Sequence, residues 1–193
     1  MKVLLLDADG VLLQSGELFS ERFAREYQVP SEAVLAFFRG PFGDCQEGTK
    51  DLKEELPPYL ETWGWTKGVD AFLDYWFESD TIFDEAVCEA VEKLKAKGVN
   101  CYLASNNEKY RALDLWRRID ERGLLDGHFF SYEVQTKKDN PSFFQKILRE
   151  LAITPAEVCF VDDDERNVAA AKSVGIEAYL YDDRVLEMLL AKL

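Results

Sequence analysis

Apolar positions along this chain follow two rhythms. Short continuous runs read as buried strands: Val3 to Leu6, Val99-Asn100-Cys101-Tyr102-Leu103-Ala104, Val158-Cys159-Phe160-Val161 and Glu177-Ala178-Tyr179-Leu180-Tyr181, with His128-Phe129-Phe130-Ser131 a weaker candidate. Between them the spacing turns helical. In 84–97, Val87, Ala90, Val91 and Leu94 share one face, and Gly98 suits the helix end. In 141–151, Pro141 suits the first helical position, and Phe144, Ile147, Leu148 and Leu151 form the stripe. Thr154-Pro155-Ala156-Glu157 has capping-box spacing, and 164–174 forms a further helix closed by Gly175. Strands alternating with helices predict an α/β protein: a three-layer, Rossmann-like parallel sheet with helices on both faces. Such sheets bind ligands at the carboxyl ends of their strands, where strand order reverses. Asp7, Ser105, Asp162 and Asp163 fall at those ends.

Residues 14–80 break the rhythm. They read as helices over roughly 15–28, 32–39, 47–62 and 67–78, with turn signals at Pro30-Ser31, Gly40-Pro41 and Gly43-Asp44. The expected organisation is a core of 1–13 and 81–193, with an all-helical cap of 14–80 inserted after the first strand. Its place beside the end of that strand suits a lid. Trp63, Trp65, Trp76 and Tyr59 concentrate there as the core of the smaller unit, with one or two left to line a pocket.

Composition narrows the function. A net charge of −14 argues against nucleic acid or an anionic membrane as partner. An anionic ligand would need a site that reverses this sign locally. The cysteines Cys45, Cys88, Cys101 and Cys159 form no CxxC pair, and His128 is the only histidine, which disfavours a Cys/His zinc site and a His-dependent triad. No stretch reaches membrane-spanning length, and the apolar opening is too short for a signal peptide, so a cytoplasmic location is expected.

The chemistry concentrates at Asp7-Ala8-Asp9-Gly10. Strand alternation would point both acids to the same side. At a separation of about 4 Å and an effective dielectric of about 20, two carboxylates repel by roughly 4 kcal/mol. They need a cation, a shared proton or open water.

Four signals then line up in order: Asp7-Ala8-Asp9-Gly10-Val11; Ser105-Asn106 after a strand; Lys138 ahead of Asp139-Asn140-Pro141; and Asp162-Asp163 after a strand, followed by Asn167. Together they resemble the haloacid dehalogenase-like hydrolase superfamily, of the phosphatase type with a helical cap. The resemblance implies Asp7 as nucleophile and Asp9 as general acid and base. Ser105, Asn106 and Lys138 would bind the phosphoryl group. Mg²⁺ would sit on Asp7, the backbone carbonyl of Asp9, and Asp163. Asp162 would orient Lys138 or serve as the alternative ligand, with Asn167 beside it. Two departures stand out. The first proline of the family's Lys-Pro-Asp-Pro is missing, which makes Lys137 a competitor for the Lys138 role, and the run Asp162-Asp163-Asp164 leaves the metal ligand open by one position.

Oxygen ligands suit Mg²⁺, which takes only one or two carboxylates from a protein. With Asp7, Asp162 and Asp163 ionised against Mg²⁺ and Lys138, charge balances only if Asp9 is protonated, the form that donates to a leaving alkoxide. Halide departure needs no such acid, so Asp9 favours phosphate ester cleavage. The expected partner is a small phosphorylated metabolite, and the chain is expected to be a monomer or homodimer. A phosphomutase, or a non-enzymatic binding protein of the same fold, is the alternative. Ser105-Asn106-Asn107 could otherwise serve as a plain helix cap.

Overall fold

The computed structural model describes residues 1–14, 17–78, 82–182 and 184–192. In chain order the elements are β1 (Val3–Leu6), α1 (Phe19–Tyr27), α2 (Ser31–Arg39), α3 (Phe42–Gln46), α4 (Leu52–Glu55), α5 (Pro57–Thr62), α6 (Val69–Glu78), α7 (Glu85–Ala96), β2 (Asn100–Ser105) and α8 (Lys109–Asp120). There follow β3 (Gly127–Phe130), α9 (Ser131–Val134), α10 (Pro141–Glu150), β4 (Val158–Asp162), α11 (Glu165–Ser173), β5 (Glu177–Leu180) and α12 (Val185–Ala191).

The strands form one parallel sheet in the order β3-β2-β1-β4-β5. Both faces are covered, which explains why β1 is apolar throughout rather than alternating. Leu4 and Leu6 pack into a cluster with residues of α7, α8 and α12. Val3 and Leu5, with Phe160 of β4, face α10 and α11, where Phe143, Phe144 and Ala171 are buried. The chain runs from β1 outward through β2 and β3, then returns to β4 on the other side. Strand order therefore reverses at β1, and the register sets Leu6 beside both Leu103 and Val161. The next residues along, Asp7, Ala104 and Asp162, emerge together at the carboxyl end.

Helices α1 to α6 make a separate unit with its own core. Phe19, Phe23, Phe37, Trp63, Trp65, Phe72 and Trp76 are buried in it, as the tryptophan concentration suggested, and Phe19 stacks on Trp76 with centroids 5.0 Å apart. The expected boundaries near 14 and 80 adjoin residues 15, 16 and 79–81, which lie outside those described.

Three local expectations need correction. The helix anticipated over 47–62 starts only at Leu52, after Gly48 at φ 69°, and is divided in two where Pro57 begins a new helix as its first residue. Gly43-Asp44, read as a turn, lies inside α3. Helix α8 was missed between the strands, although Ala112, Leu115 and Ile119 recur on its buried face.

Candidate active site

Strand β1 ends at Leu6, so alternation does not place Asp9 on the side of Asp7 as expected. A turn does, closed by hydrogen bonds from Leu12 N to Asp7 O (3.3 Å) and from Leu13 N to Ala8 O (2.8 Å). The two acids enter different surroundings. Asp7 is buried, whereas the Asp9 side chain is 52% exposed.

The buried half centres on Lys138. Its side chain is 2% exposed, and its ammonium donates to Asp7 Oδ1 and, at 2.7 Å, to Asp162 Oδ2. Burial alone would lower the Lys138 pKa, but the two carboxylates outweigh it and leave the pKa raised. Lys137, the competitor, points elsewhere: its ammonium lies 3.7 Å from where a Cβ on Gly43 of the cap would sit. The loop manages without the missing proline. Lys138 N donates to Asn106 Oδ1 (2.9 Å), and Asn140 caps α10 by accepting from Ser142 N (3.0 Å).

The acidic run of β4 divides into three roles. Asp162, fully buried, holds Lys138 through Oδ2, while Oδ1 accepts from Asp164 N (2.8 Å) and Asn167 Nδ2 (2.9 Å). Asp164 caps α11 through Arg166 N. Asp163 is the exposed one; partial burial and the Asp162 charge raise its pKa.

Carboxylate oxygens of Asp7, Asp162 and Asp163 lie within 4.8 Å of one another. Burial and the Asp162 charge, against the pull of Lys138, raise the Asp7 carboxyl to about 8. Two buried acids share one ammonium, so ionising both would leave a deficit of positive charge. An all-oxygen donor set with that deficit fits a hard divalent cation.

The exposed half holds a cation that sequence reasoning missed. Arg111 grips Asp9 in a fork, Nη1 to Oδ2 at 2.8 Å and Nη2 to Oδ1 at 2.6 Å. Packing around the pair favours the neutral acid, but Arg111 outweighs it and holds the Asp9 pKa below its ordinary value. This overturns the expectation of a protonated Asp9 at rest. The sequence-level charge balance omitted a cation 102 positions away in the chain.

Ser105 and Asn107 are each 1% exposed. Neither caps α8, because Glu108 takes that role, accepting from Tyr110 N (2.7 Å) and Arg111 N (2.6 Å). Burial pushes the Glu108 carboxyl up to about 7. The cap docks on the same stretch. Gln46 Nε2 donates to Asn106 O (3.0 Å), and the Tyr110 hydroxyl donates to Asp51 (2.9 Å). A Cβ on Gly48 would lie 2.3 Å from the Tyr132 carbonyl oxygen, so only glycine allows this approach. Beside it opens a cleft of about 380 Å³ lined by Thr49, Asp51 and Glu54 of the cap and Glu108, Lys109 and Tyr132 of the core.

A parallel sheet with a helical cap, and carboxylates gathered at the strand ends where order reverses, define a capped, doubly wound α/β protein with an acidic site. The family model for haloacid dehalogenase-like hydrolases matches residues 1–175, and the chain belongs to that family. The phosphorylated carbohydrates phosphatase of Thermotoga maritima is 28% identical over 92% of this chain and 83% of its own length. A HAD family enzyme from Bacteroides thetaiotaomicron, in complex with magnesium and inorganic phosphate, shares the fold at TM-score 0.77 and 23% identity, covering 95% of each chain. So does a HAD-like family hydrolase from Porphyromonas gingivalis, at TM-score 0.79 and 20% identity over 100% of this chain and 98% of that one. Among the described residues no helix is long and apolar enough to cross a membrane.

Proposed function

We propose that this hydrolase is a Mg²⁺-dependent phosphatase that cleaves a small phosphomonoester through a phosphoryl group carried on Asp7. The observation that carries this reading is the buried cluster of Asp7, Lys138 and Asp162, short of one cation and next to Asp163. Asp7, Asp163 and the backbone carbonyl of Asp9 would hold Mg²⁺, which when bound neutralises the charge between an anionic nucleophile and an anionic ester. Asp162 has both oxygens engaged by Lys138, Asp164 N and Asn167, which favours Asp163 as the direct ligand.

Both hydrogen bonds described for the Asp7 carboxylate fall on Oδ1, from Ala8 N (2.7 Å) and Lys138, so Oδ2 is the attacking oxygen. Its bond to phosphorus forms as the ester oxygen leaves, and Asp9 gives that oxygen a proton. Water then attacks phosphorus, returns a proton to Asp9 and frees Asp7 and inorganic phosphate. The Ser105 hydroxyl and the Lys138 ammonium bind phosphoryl oxygens, with Asn106 holding the Lys138 loop in place. Asp9 must therefore take up a proton before the ester oxygen leaves, which turns one of its two oxygens from Arg111 to the ester while the other keeps its hydrogen bond to the guanidinium.

The name of the Thermotoga relative supports a phosphorylated carbohydrate as the substrate class. The test is phosphate release from a panel of sugar phosphates, nucleotides and an aryl phosphate, with Mg²⁺ and with a chelator. Turnover of at least one ester that stops on chelation is expected. Absence of turnover on every ester with Mg²⁺ present would refute the reading, and bisphosphate-stimulated isomerisation of a sugar phosphate would favour the mutase.

A further inference from the structure

A continuous hydrogen-bonded path joins Ser105 to Asp9. Asn107 Nδ2 donates to Ser105 Oγ at 2.8 Å. The same amide accepts from Arg111 Nη1 through Oδ1 at 2.6 Å. Arg111 then closes its fork on Asp9. Each link has only one sensible polarity. Guanidinium donates and never accepts, which fixes Asn107 Oδ1 toward Arg111 and Nδ2 toward Ser105. Ser105 Oγ therefore accepts from the protein, and its own proton is left to donate to a ligand oxygen. Asn107 is buried and Arg111 is 13% exposed, so neither is an idle surface group. Glu108 holds Arg111 N at the start of α8 and so fixes where the guanidinium begins.

We propose that Arg111 is a positioning residue for Asp9, tied through Asn107 to the phosphate-binding hydroxyl of Ser105. The inference rests on the phosphatase reading. A planar fork on a carboxylate fixes direction as well as distance, which a lysine in its place would not do. Asp9 lies past the end of β1 in a turn, half-exposed, and its side chain needs such a restraint to meet a leaving oxygen reproducibly. The path also makes the Asp9 setting depend on the group that senses phosphate.

The discriminating experiment is a double-mutant cycle read on two esters. One is an alkyl phosphate, whose leaving oxygen needs a proton; the other is an aryl phosphate with an acidic phenol, which needs little help. Arg111→Gln is expected to lower kcat on the alkyl ester at least about tenfold, with KM within about twofold and a clearly smaller loss on the aryl ester. Arg111→Lys should recover only part of the loss. In an Asp9→Asn background, Arg111→Gln should add nothing further. Equal losses on both esters, a change confined to KM, or full additivity with Asp9→Asn would overturn the proposal.

A second arm needs no turnover. Crystals of the wild-type and Arg111→Gln proteins grown with Mg²⁺ and inorganic phosphate should show Asp9 in one ordered position in the first, and displaced or in several positions in the second. The same single Asp9 position in both would overturn the proposal. If the wild-type protein releases phosphate from no ester, the phosphatase reading fails, and this arm still decides whether Arg111 positions Asp9.

Discussion

Asp7 and Asp9 are two residues apart and live under opposite conditions. Asp7 is buried, shares one ammonium with Asp162, and is pushed up to about 8 by burial. Asp9 is half-exposed, is forked by the Arg111 guanidinium, and is held below its ordinary value. In the interior, ionising both carboxylates against one lysine would leave a net negative charge, and a low dielectric makes that deficit costly, which is what holds the Asp7 pKa up. At the rim, one carboxylate against one arginine is already neutral. The first arrangement calls for a further cation; the second calls for a proton only when a leaving group arrives. A pair of acids that looks symmetric in sequence is divided by burial, and the proposed function gives the buried member the metal and the exposed one the proton.

That contrast can be broken from either side. The largest effect belongs to Asp7→Asn, which should lower phosphate release at least about a thousandfold by removing the nucleophile. It should not cost stability, because it takes one negative charge out of the buried cluster. Thermal unfolding with and without Mg²⁺ sharpens the point: the ion should raise the wild-type Tm and leave the Asp7→Asn Tm nearly unmoved. Equal stabilisation of both proteins would place the metal elsewhere.

Lys138→Met comes next. It leaves Asp7 and Asp162 facing each other without their ammonium, and breaking a buried pair in this way costs about 3–5 kcal/mol. Urea unfolding without Mg²⁺ reads that loss, and a cost under about 1 kcal/mol, the range of a surface pair, would show that Lys138 is not the buried counter-charge.

The smallest effect concerns Glu108, whose carboxyl is pushed up to about 7 by burial. Its folded pKa lies above its unfolded value of about 4.3. The folded state then binds more protons between these values, and stability falls as pH rises from about 4 to about 7. Glu108→Gln keeps an acceptor for the first turn of α8 and removes the charge. Relative to wild type it should gain about 1–2 kcal/mol at pH 8 and little at pH 4, by urea unfolding at both. The same difference at both pH values would detach the effect from ionisation.

Most of the fold was legible because each core strand is a short apolar run stopped by a polar residue, and each core helix carries a stripe. The carboxylates and Lys138 were legible for the same reason, since their chemistry sits at strand ends and at one helix start. The run Asp162-Asp163-Asp164 was uniform in sequence, and burial separates its members: one acid goes inward, one outward, and one caps a helix. Arg111 left no comparable signal. It is one of several charged residues on an amphipathic helix, and only the packing of α8 against the end of β1 brings it to Asp9. The break within 47–62 was visible at Gly48 and Pro57, yet the need for glycine there comes from the Tyr132 carbonyl, a contact between cap and core that no local pattern encodes.

The central claim is that Asp7, the buried member of the pair, carries the phosphoryl group. Rapid acid quench during turnover with Mg²⁺, followed by mass spectrometry of the peptide that holds Asp7 and Asp9, tests it directly. A phosphoryl group on Asp7 in the wild-type protein, absent in Asp7→Asn and persisting longer in Asp9→Asn, is the predicted result. A protein that turns over with no phosphoryl group on that peptide, or with the group on Asp9, would contradict the account.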